Sequence, residues 1–266
     1  MANIDNGDGH VMQCLKHFWR VVGKLGALAF IFVGGCPLAL IILPVMALLP
    51  GQQQEHAQRA IHKLFRFYLR AIQLWGLISL KVDDADKFAK CSGKIVIANH
   101  PSLLDVVILM ALIPRTQCIV KHELWNHPFL GGLMRRAGYI RNDLEPEKLV
   151  AACKASLDEG RCLIIFPEGT RTVPGGLPNF LRGFANVATL TKAPIQTVFI
   201  DCSPPFLFKG EPWWHFPSQK PHFQVAMGQC LDVPMYSLYD QRSINARKLV
   251  ESLEIYYAER ARNRQP

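Results

Sequence analysis

Between Leu25 and Pro50 the sequence LGALAFIFVGGCPLALIILPVMALLP carries no charged residue, and no other stretch restricts the fold as strongly. As continuous helix, about 25 residues rise ~37 Å, enough to cross the hydrocarbon core of a bilayer. A cleaved signal peptide fits poorly: the apolar run is too long and no clear small-x-small site follows it. Gly34-Gly35 and Pro37 break the run near its middle, and Pro44 interrupts it again. Both flanks are basic, with Lys16, Arg20 and Lys24 before and Arg59, Lys63, Arg66 and Arg70 after. The positive-inside rule then keeps both ends on the cytoplasmic face of the inner, or equivalent, membrane. A bent re-entrant hairpin satisfies both signals; a single kinked span is the simpler alternative. The chain divides accordingly into a polar lead (1–24), a membrane-anchoring segment (25–76) and a folded domain (77–266).

The anchoring segment ends in an amphipathic helix. Ile61, Leu64, Phe65, Tyr68, Leu69, Ile72 and Trp75 recur at helical spacing, with the four basic residues on other faces. Such a helix lies on anionic lipid or packs on a core with its basic face in water, and the pattern fits either.

The net charge of +9 suits anionic lipid, phosphorylated substrates or nucleic acid. Half of the residues are apolar, more than a nucleic-acid binder needs, so nucleic acid is not expected as a partner. The eight cysteines form no C-x-x-C pair and no cluster with zinc spacing. Reduced thiols in a cytosol-facing protein, and no metal, are the expectation.

From residue 77 strands and helices alternate. Leu77–Val82, Ile95–Ala98, Cys118–Val120, Tyr139-Ile140, Cys162–Phe166, Ile195–Ile200 and His222–Gln229 read as strands. Helices are expected over 102–112, up to Arg135-Arg136, over 146–159 with Gly160 as stop, over 181–191 and over 243–262. Alternation of this kind predicts an α/β fold with a mixed, mostly parallel sheet flanked by helices. Residues 201–221, rich in proline and aromatics including Trp213-Trp214, read as a loop that packs on the core or meets the membrane interface.

The first chemical signal is Asn99-His100-Pro101-Ser102-Leu103-Leu104-Asp105, which joins a strand to a helix. Asp105, about one turn into that helix, can reach back to one imidazole nitrogen of His100. That bond fixes the tautomer and leaves the other nitrogen as a base. Ser102, two residues from His100, is better read as a helix-start residue than as a nucleophile. The second signal is Phe166-Pro167-Glu168-Gly169-Thr170-Arg171, again after a strand. Arg141 likewise follows a short strand, Tyr139-Ile140.

Four blocks, Asn99–Asp105, Gly138–Arg141, Phe166–Arg171 and Ala193–Ile195, occur in the order seen in the glycerolipid acyltransferases, and residues 94–200 resemble that family. The resemblance implies a membrane-bound enzyme that moves a fatty acyl group from an acyl-CoA or acyl-carrier-protein thioester to a lysophosphatidic acid or related lysophospholipid. It implies His100 and Asp105 as the catalytic pair. Arg141, Glu168, Gly169, Thr170, Arg171 and Arg182 fall at acceptor- or phosphate-binding positions. No cofactor is implied beyond the thioester donor. Leu181-Arg182 stands where relatives often have Phe-Lys, and Gln196 where an apolar residue often follows, which leaves a specialised acceptor open. A thioesterase or hydrolase using the same pair on water is the rival enzyme reading. The phosphate-reading arginines argue against it.

The chemistry is consistent with the pattern. A thioester is already activated, so no covalent nucleophile from the protein is needed. A base for the acceptor hydroxyl and donors for the oxyanion suffice. Backbone N–H groups of Glu168, Gly169 and Thr170 are the oxyanion candidates.

Overall fold

A computed structural model describes residues 53–128, 130–173, 176, 179–212, 215–233 and 242–262, with a few positions between 12 and 26. The uncharged stretch 25–50, apart from Gly26, and Trp213-Trp214 lie outside the described residues.

The described elements follow the order α1 (Gln53–Leu74), β1 (Ser79–Val82), α2 (Ala85–Ala89), β2 (Ile95–Ala98), α3 (Asp105–Leu112), β3 (Thr116–Val120), α4 (His122–Trp125), α5 (Gly131–Arg136), β4 (Ile140–Arg141), α6 (Pro146–Asp158), β5 (Cys162–Ile165), α7 (Gly183–Thr191), β6 (Ile195–Ser203), β7 (His222–Leu231) and α8 (Arg242–Arg262). The strands form one sheet ordered β1-β7-β6-β2-β5-β3-β4. Every neighbouring pair is parallel except β6 and β7. The mixed, mostly parallel sheet expected from the sequence is the one observed.

Alternation along the strands divides the core between the two faces of the sheet. Val96, Ala98, Ile164, Val198 and Ile200 pack with α1 and α3. Ile95, Ile97, Leu163, Ile195 and Phe199 pack on the opposite face with α6, α7 and α8. β2 is buried along its whole length, as a parallel strand covered on both sides must be. Its continuous apolar run Ile95-Val96-Ile97-Ala98 reflects that burial.

α1 resolves one open reading of the sequence. Its apolar residues Ala57, Ile61, Tyr68, Leu69 and Ile72 are buried in the core, so the helix packs on the domain, chiefly against α3. Gln58 Nε2 donates to the carbonyl of Ala137, and His62 Nδ1 meets the carbonyl of Met110 at 2.9 Å. Arg59, Lys63, Arg66 and Arg70 are exposed, and so are Phe67 and Leu74. These six fall on one face at helical spacing. Among the described residues no helix is long and apolar enough to cross a membrane.

The remaining ends are close to those expected. α6 stops where Gly160, at φ +80°, turns the chain and donates to the carbonyl of Leu157. A left-handed conformation there is cheapest for glycine. α3 begins later than residue 102. Residues 101–104 form a turn, and Asp105 is the first helical residue rather than one turn in. Its carboxylate accepts from the Ser102 N–H at 2.7 Å, which holds that turn outside the helix. Ser102 Oγ accepts from the Leu104 N–H at 3.3 Å, so the serine serves the turn.

Candidate active site

The loops that follow β2, β5, β3 and β4 leave the carboxyl ends of neighbouring parallel strands. In open α/β sheets that edge is where ligands bind. A cleft of about 1310 Å³ opens there, lined by His100, Leu103, Val106, Val120, Lys121, Leu124, Ile164, Phe166, Gly169, Thr170, Arg171, Leu181 and Phe184 among others. Most of its walls are apolar.

The β2 loop delivers His100. The last ladder pair of β2 with β6 is Ala98 with Val198. Asn99 then extends the ladder with its side chain: Nδ2 donates to the Ile200 carbonyl at 2.7 Å, and Oδ1 accepts from the Ile200 N–H at 2.8 Å. The next residue is His100, whose Nδ1 lies 2.9 Å from Asp105 Oδ2. Phe166 stacks on the imidazole with centroids 4.1 Å apart. The imidazole side chain is 13% exposed and Asp105 is fully buried. With Nδ1 engaged, Nε2 is the nitrogen left for proton transfer. Burial pushes the Asp105 carboxyl up to about 6, against the bonds from His100 and the Ser102 N–H, which pull it down. Above that value the carboxylate is ionised and accepts from Nδ1–H.

The β5 loop brings the second motif beside the first because β5 pairs with β2. Glu168 Oε1 accepts from the His100 N–H at 3.2 Å and from the Thr172 hydroxyl at 2.7 Å. Gly169, at φ +66°, donates to the Phe166 carbonyl and closes the turn. A Cβ there would also meet the Leu181 side chain at 2.5 Å. Because the Gly169 N–H closes this turn, Glu168 and Thr170 carry the remaining N–H candidates for an oxyanion. Arg171 lines the cleft, and its Nη1 donates to the carbonyls of Leu207 and Phe208 at 2.8 and 3.0 Å. The Leu207 carbonyl also receives the Leu103 N–H. The loop after β6 is thereby joined to both motif loops.

Two expected phosphate ligands are placed differently. Arg141 ends β4 and directs Nε and Nη2 at the two oxygens of Asp143. That fork holds the Asp143 carboxyl down at about 2, and the pairing raises Arg141 above its ordinary value. His122 Nδ1 lies 3.0 Å from the same carboxylate. Arg182 is exposed just before α7. Neither Arg141 nor Arg182 is among the residues lining the cleft, although Asn142 and Gly183 beside them are. Glu168 is also outside that lining. Lys121, Glu123 and His127 line the cleft and were not singled out from the sequence. Lys121 directly follows β3, as Asn99 follows β2 just ahead of His100, so the strand-end rule applied evenly would have found it.

No cluster of His, Cys, Asp or Glu able to hold a metal occurs among the described residues. The described cysteines are unbridged.

The described chain is thus a seven-stranded α/β sheet with a His–Asp pair and an adjoining glutamate loop at its strand ends. Residues 79–201 match the family model described as Acyltransferase. Over 115 residues the chain is 46% identical to a 1-acyl-sn-glycerol-3-phosphate acyltransferase of Helicobacter pylori, a match covering 41% of this chain and 48% of that protein. Over 107 residues it is 38% identical to the protein of the same name from Cocos nucifera, covering 38% of this chain and 35% of that one. The alpha form from Homo sapiens is 27% identical over 202 residues, covering 74% and 67%. The chain thus spans about half or less of the length of the first two relatives. The crystal structure of the 1-acyl-sn-glycerophosphate (LPA) acyltransferase PlsC from Thermotoga maritima superposes with a TM-score of 0.69. It is 20% identical, and the match covers 91% of this chain and 97% of that one. That likeness establishes a shared fold.

Proposed function

We propose that this chain transfers a fatty acyl group from a CoA or acyl-carrier-protein thioester to the free hydroxyl of lysophosphatidic acid or a closely related lysophospholipid. The observation that carries the reading is the bond between His100 Nδ1 and the buried Asp105 carboxylate at the mouth of a largely apolar cleft. His100 Nε2 takes the acceptor hydroxyl proton as that oxygen bonds to the thioester carbonyl carbon. The tetrahedral oxyanion is received by N–H donors of the β5 loop. On collapse the C–S bond breaks, and the proton held at Nε2 goes to the departing thiolate. The apolar walls suit the acyl chain, and holding both substrates in line supplies much of the acceleration.

Arg171, on the cleft wall, fits the acceptor phosphate. Arg141 fits it once its fork is shared with or released from Asp143. Membrane attachment fits the same reading. The exposed face of α1 combines Arg59, Lys63, Arg66 and Arg70 with Phe67 and Leu74, and the uncharged stretch 25–50 precedes it.

The test is product formation by the purified chain in mixed micelles, with lysophosphatidic acid and either donor, resolved by thin-layer chromatography. His100→Ala is expected to lose ~10²–10⁴-fold in turnover while remaining folded and in the carbonate-washed membrane fraction. Thioester loss without acylated lipid, equal with and without acceptor, would assign a hydrolase instead.

A further inference from the structure

We infer that Thr172 is a positioning residue for His100, acting with Glu168 as a clip that fixes the main chain from which the imidazole projects. The inference rests on His100 being the base.

β2 has left its ladder at Ala98, and α3 has not begun until Asp105. The peptide groups of His100 therefore have no partners from regular structure, and buried peptide groups require them. Both are met by one short segment 68 to 72 residues away. The Thr172 N–H donates to the His100 carbonyl at 2.7 Å. The His100 N–H is shared between Glu168 Oε1 at 3.2 Å and Thr172 Oγ1 at 3.3 Å. The Thr172 hydroxyl in turn donates to Glu168 Oε1 at 2.7 Å, which orients the carboxylate toward His100.

The side chain is held at the same time by Asp105. His100 is thus fixed at its N–H, its C=O and Nδ1, and Nε2 is the polar atom left to move a proton. Neither Thr172 nor Glu168 is among the residues lining the cleft, so their reach to the reaction runs through His100. A threonine that only closed a surface turn would bond within its own loop. This one bonds to both peptide groups of the base.

The experiment compares Thr172→Val, which keeps the shape and removes the hydroxyl, with Thr172→Ser, which restores it. Displacement of a reacting group by about 1 Å can cost on the order of 10²-fold. Thr172→Val is therefore expected to lower kcat by roughly 10- to 100-fold with donor and acceptor KM within about twofold of the parent. Thr172→Ser is expected to regain kcat to within about threefold. A structural role alone lowers Tm without this split between kcat and KM. If Thr172→Val is unfolded at the assay temperature, Thr172→Ala assayed below its own Tm supplies the same comparison. Unchanged kcat in the hydroxyl-free variant overturns the inference, and so does a raised acceptor KM with kcat intact, which would make Thr172 a substrate contact. A dead His100→Ala beside a fully active Thr172→Val removes the clip alone; an active His100→Ala removes the catalytic reading itself.

Discussion

The Tyr257 hydroxyl lies 2.7 Å from the carbonyl of Ile97, three residues before His100. It also meets the Val198 carbonyl at 3.0 Å and accepts from the Val198 N–H at 3.3 Å, beside the irregular step in β6. α8 is therefore fastened into the seam between β2 and β6, directly below the loop that carries His100. Burial raises the Tyr257 hydroxyl well above its ordinary pKa, so it remains a neutral donor. Tyr257→Phe leaves the Val198 N–H without this partner in the core, at about 1–3 kcal/mol. A fall of several degrees in Tm is expected, read by thermal unfolding, with the substrate KM values little changed.

Asp105 carries a pH signature. Its folded value of about 6 lies above the ordinary 3.8, with burial as the main cause. Protonation removes the acceptor for Nδ1–H, so kcat should fall as pH drops through about 6. A flat profile down to pH 5 would remove Asp105 from the mechanism.

The same shift has a stability consequence of defined sign. The folded state holds this proton more tightly than the unfolded chain does. The contribution to folding is complete below about 3.8 and is lost as pH rises through about 6, so at pH 8 the buried charge opposes folding. The interval from 3.8 to about 6 corresponds to ~3 kcal/mol for an isolated group. Asp105→Asn should thus match or exceed the parent Tm at pH 8, with the difference shrinking toward pH 5. Its turnover should still fall sharply, because the amide admits the wrong imidazole tautomer. A large loss of Tm at pH 8 is the contrary result.

Arg171 bonds two carbonyls through one terminal nitrogen, while a guanidinium has five N–H donors. Arg171→Ala should raise the acceptor KM by ~10–150-fold, the equivalent of one charge-assisted bond. Arg171→Lys should recover part of that, since a point charge lacks the fork. Equal use of phosphorylated and uncharged acceptors by the parent enzyme would show that Arg171 serves only the Leu207 and Phe208 carbonyls.

Asp143 already occupies the Arg141 fork with a carboxylate. If the acceptor phosphate uses this arginine, it competes with Asp143. Asp143→Asn should then lower the acceptor KM, and Arg141→Ala should raise it. Kinetics at fixed ionic strength decide the point; two unchanged values would leave the pair as a structural contact between β4 and its loop.

The sequence made the sheet legible because its central strands are uninterrupted apolar runs, each leading within three residues into a polar motif. Ile95–Ala98 ahead of His100 and Cys162–Ile165 ahead of Glu168 are the clearest cases. The pairing of His100 with Asp105 was legible too, since the two flank one short turn, 101–104. What joins Glu168 and Thr172 to the His100 peptide was not, because those contacts cross 68 to 72 residues and depend on β5 lying beside β2. The role of the Leu207 and Phe208 carbonyls was hidden for a different reason: a main-chain acceptor carries no residue signature. The late start of α3 followed from competition for Asp105, whose carboxylate engages the Ser102 N–H and so holds the preceding turn out of the helix.

α1 is about 33 Å of helix at 1.5 Å per residue, and it is joined to the domain by its buried apolar face, the Gln58 bond to Ala137 and the His62 contact to Met110. It behaves mechanically as a keel rather than a tether. Whatever surface meets Lys63, Arg66, Phe67, Arg70 and Leu74 sets the attitude of the sheet, and with it the direction in which the cleft opens. A lipid reaching His100 from a bilayer under that keel would always arrive from the same side.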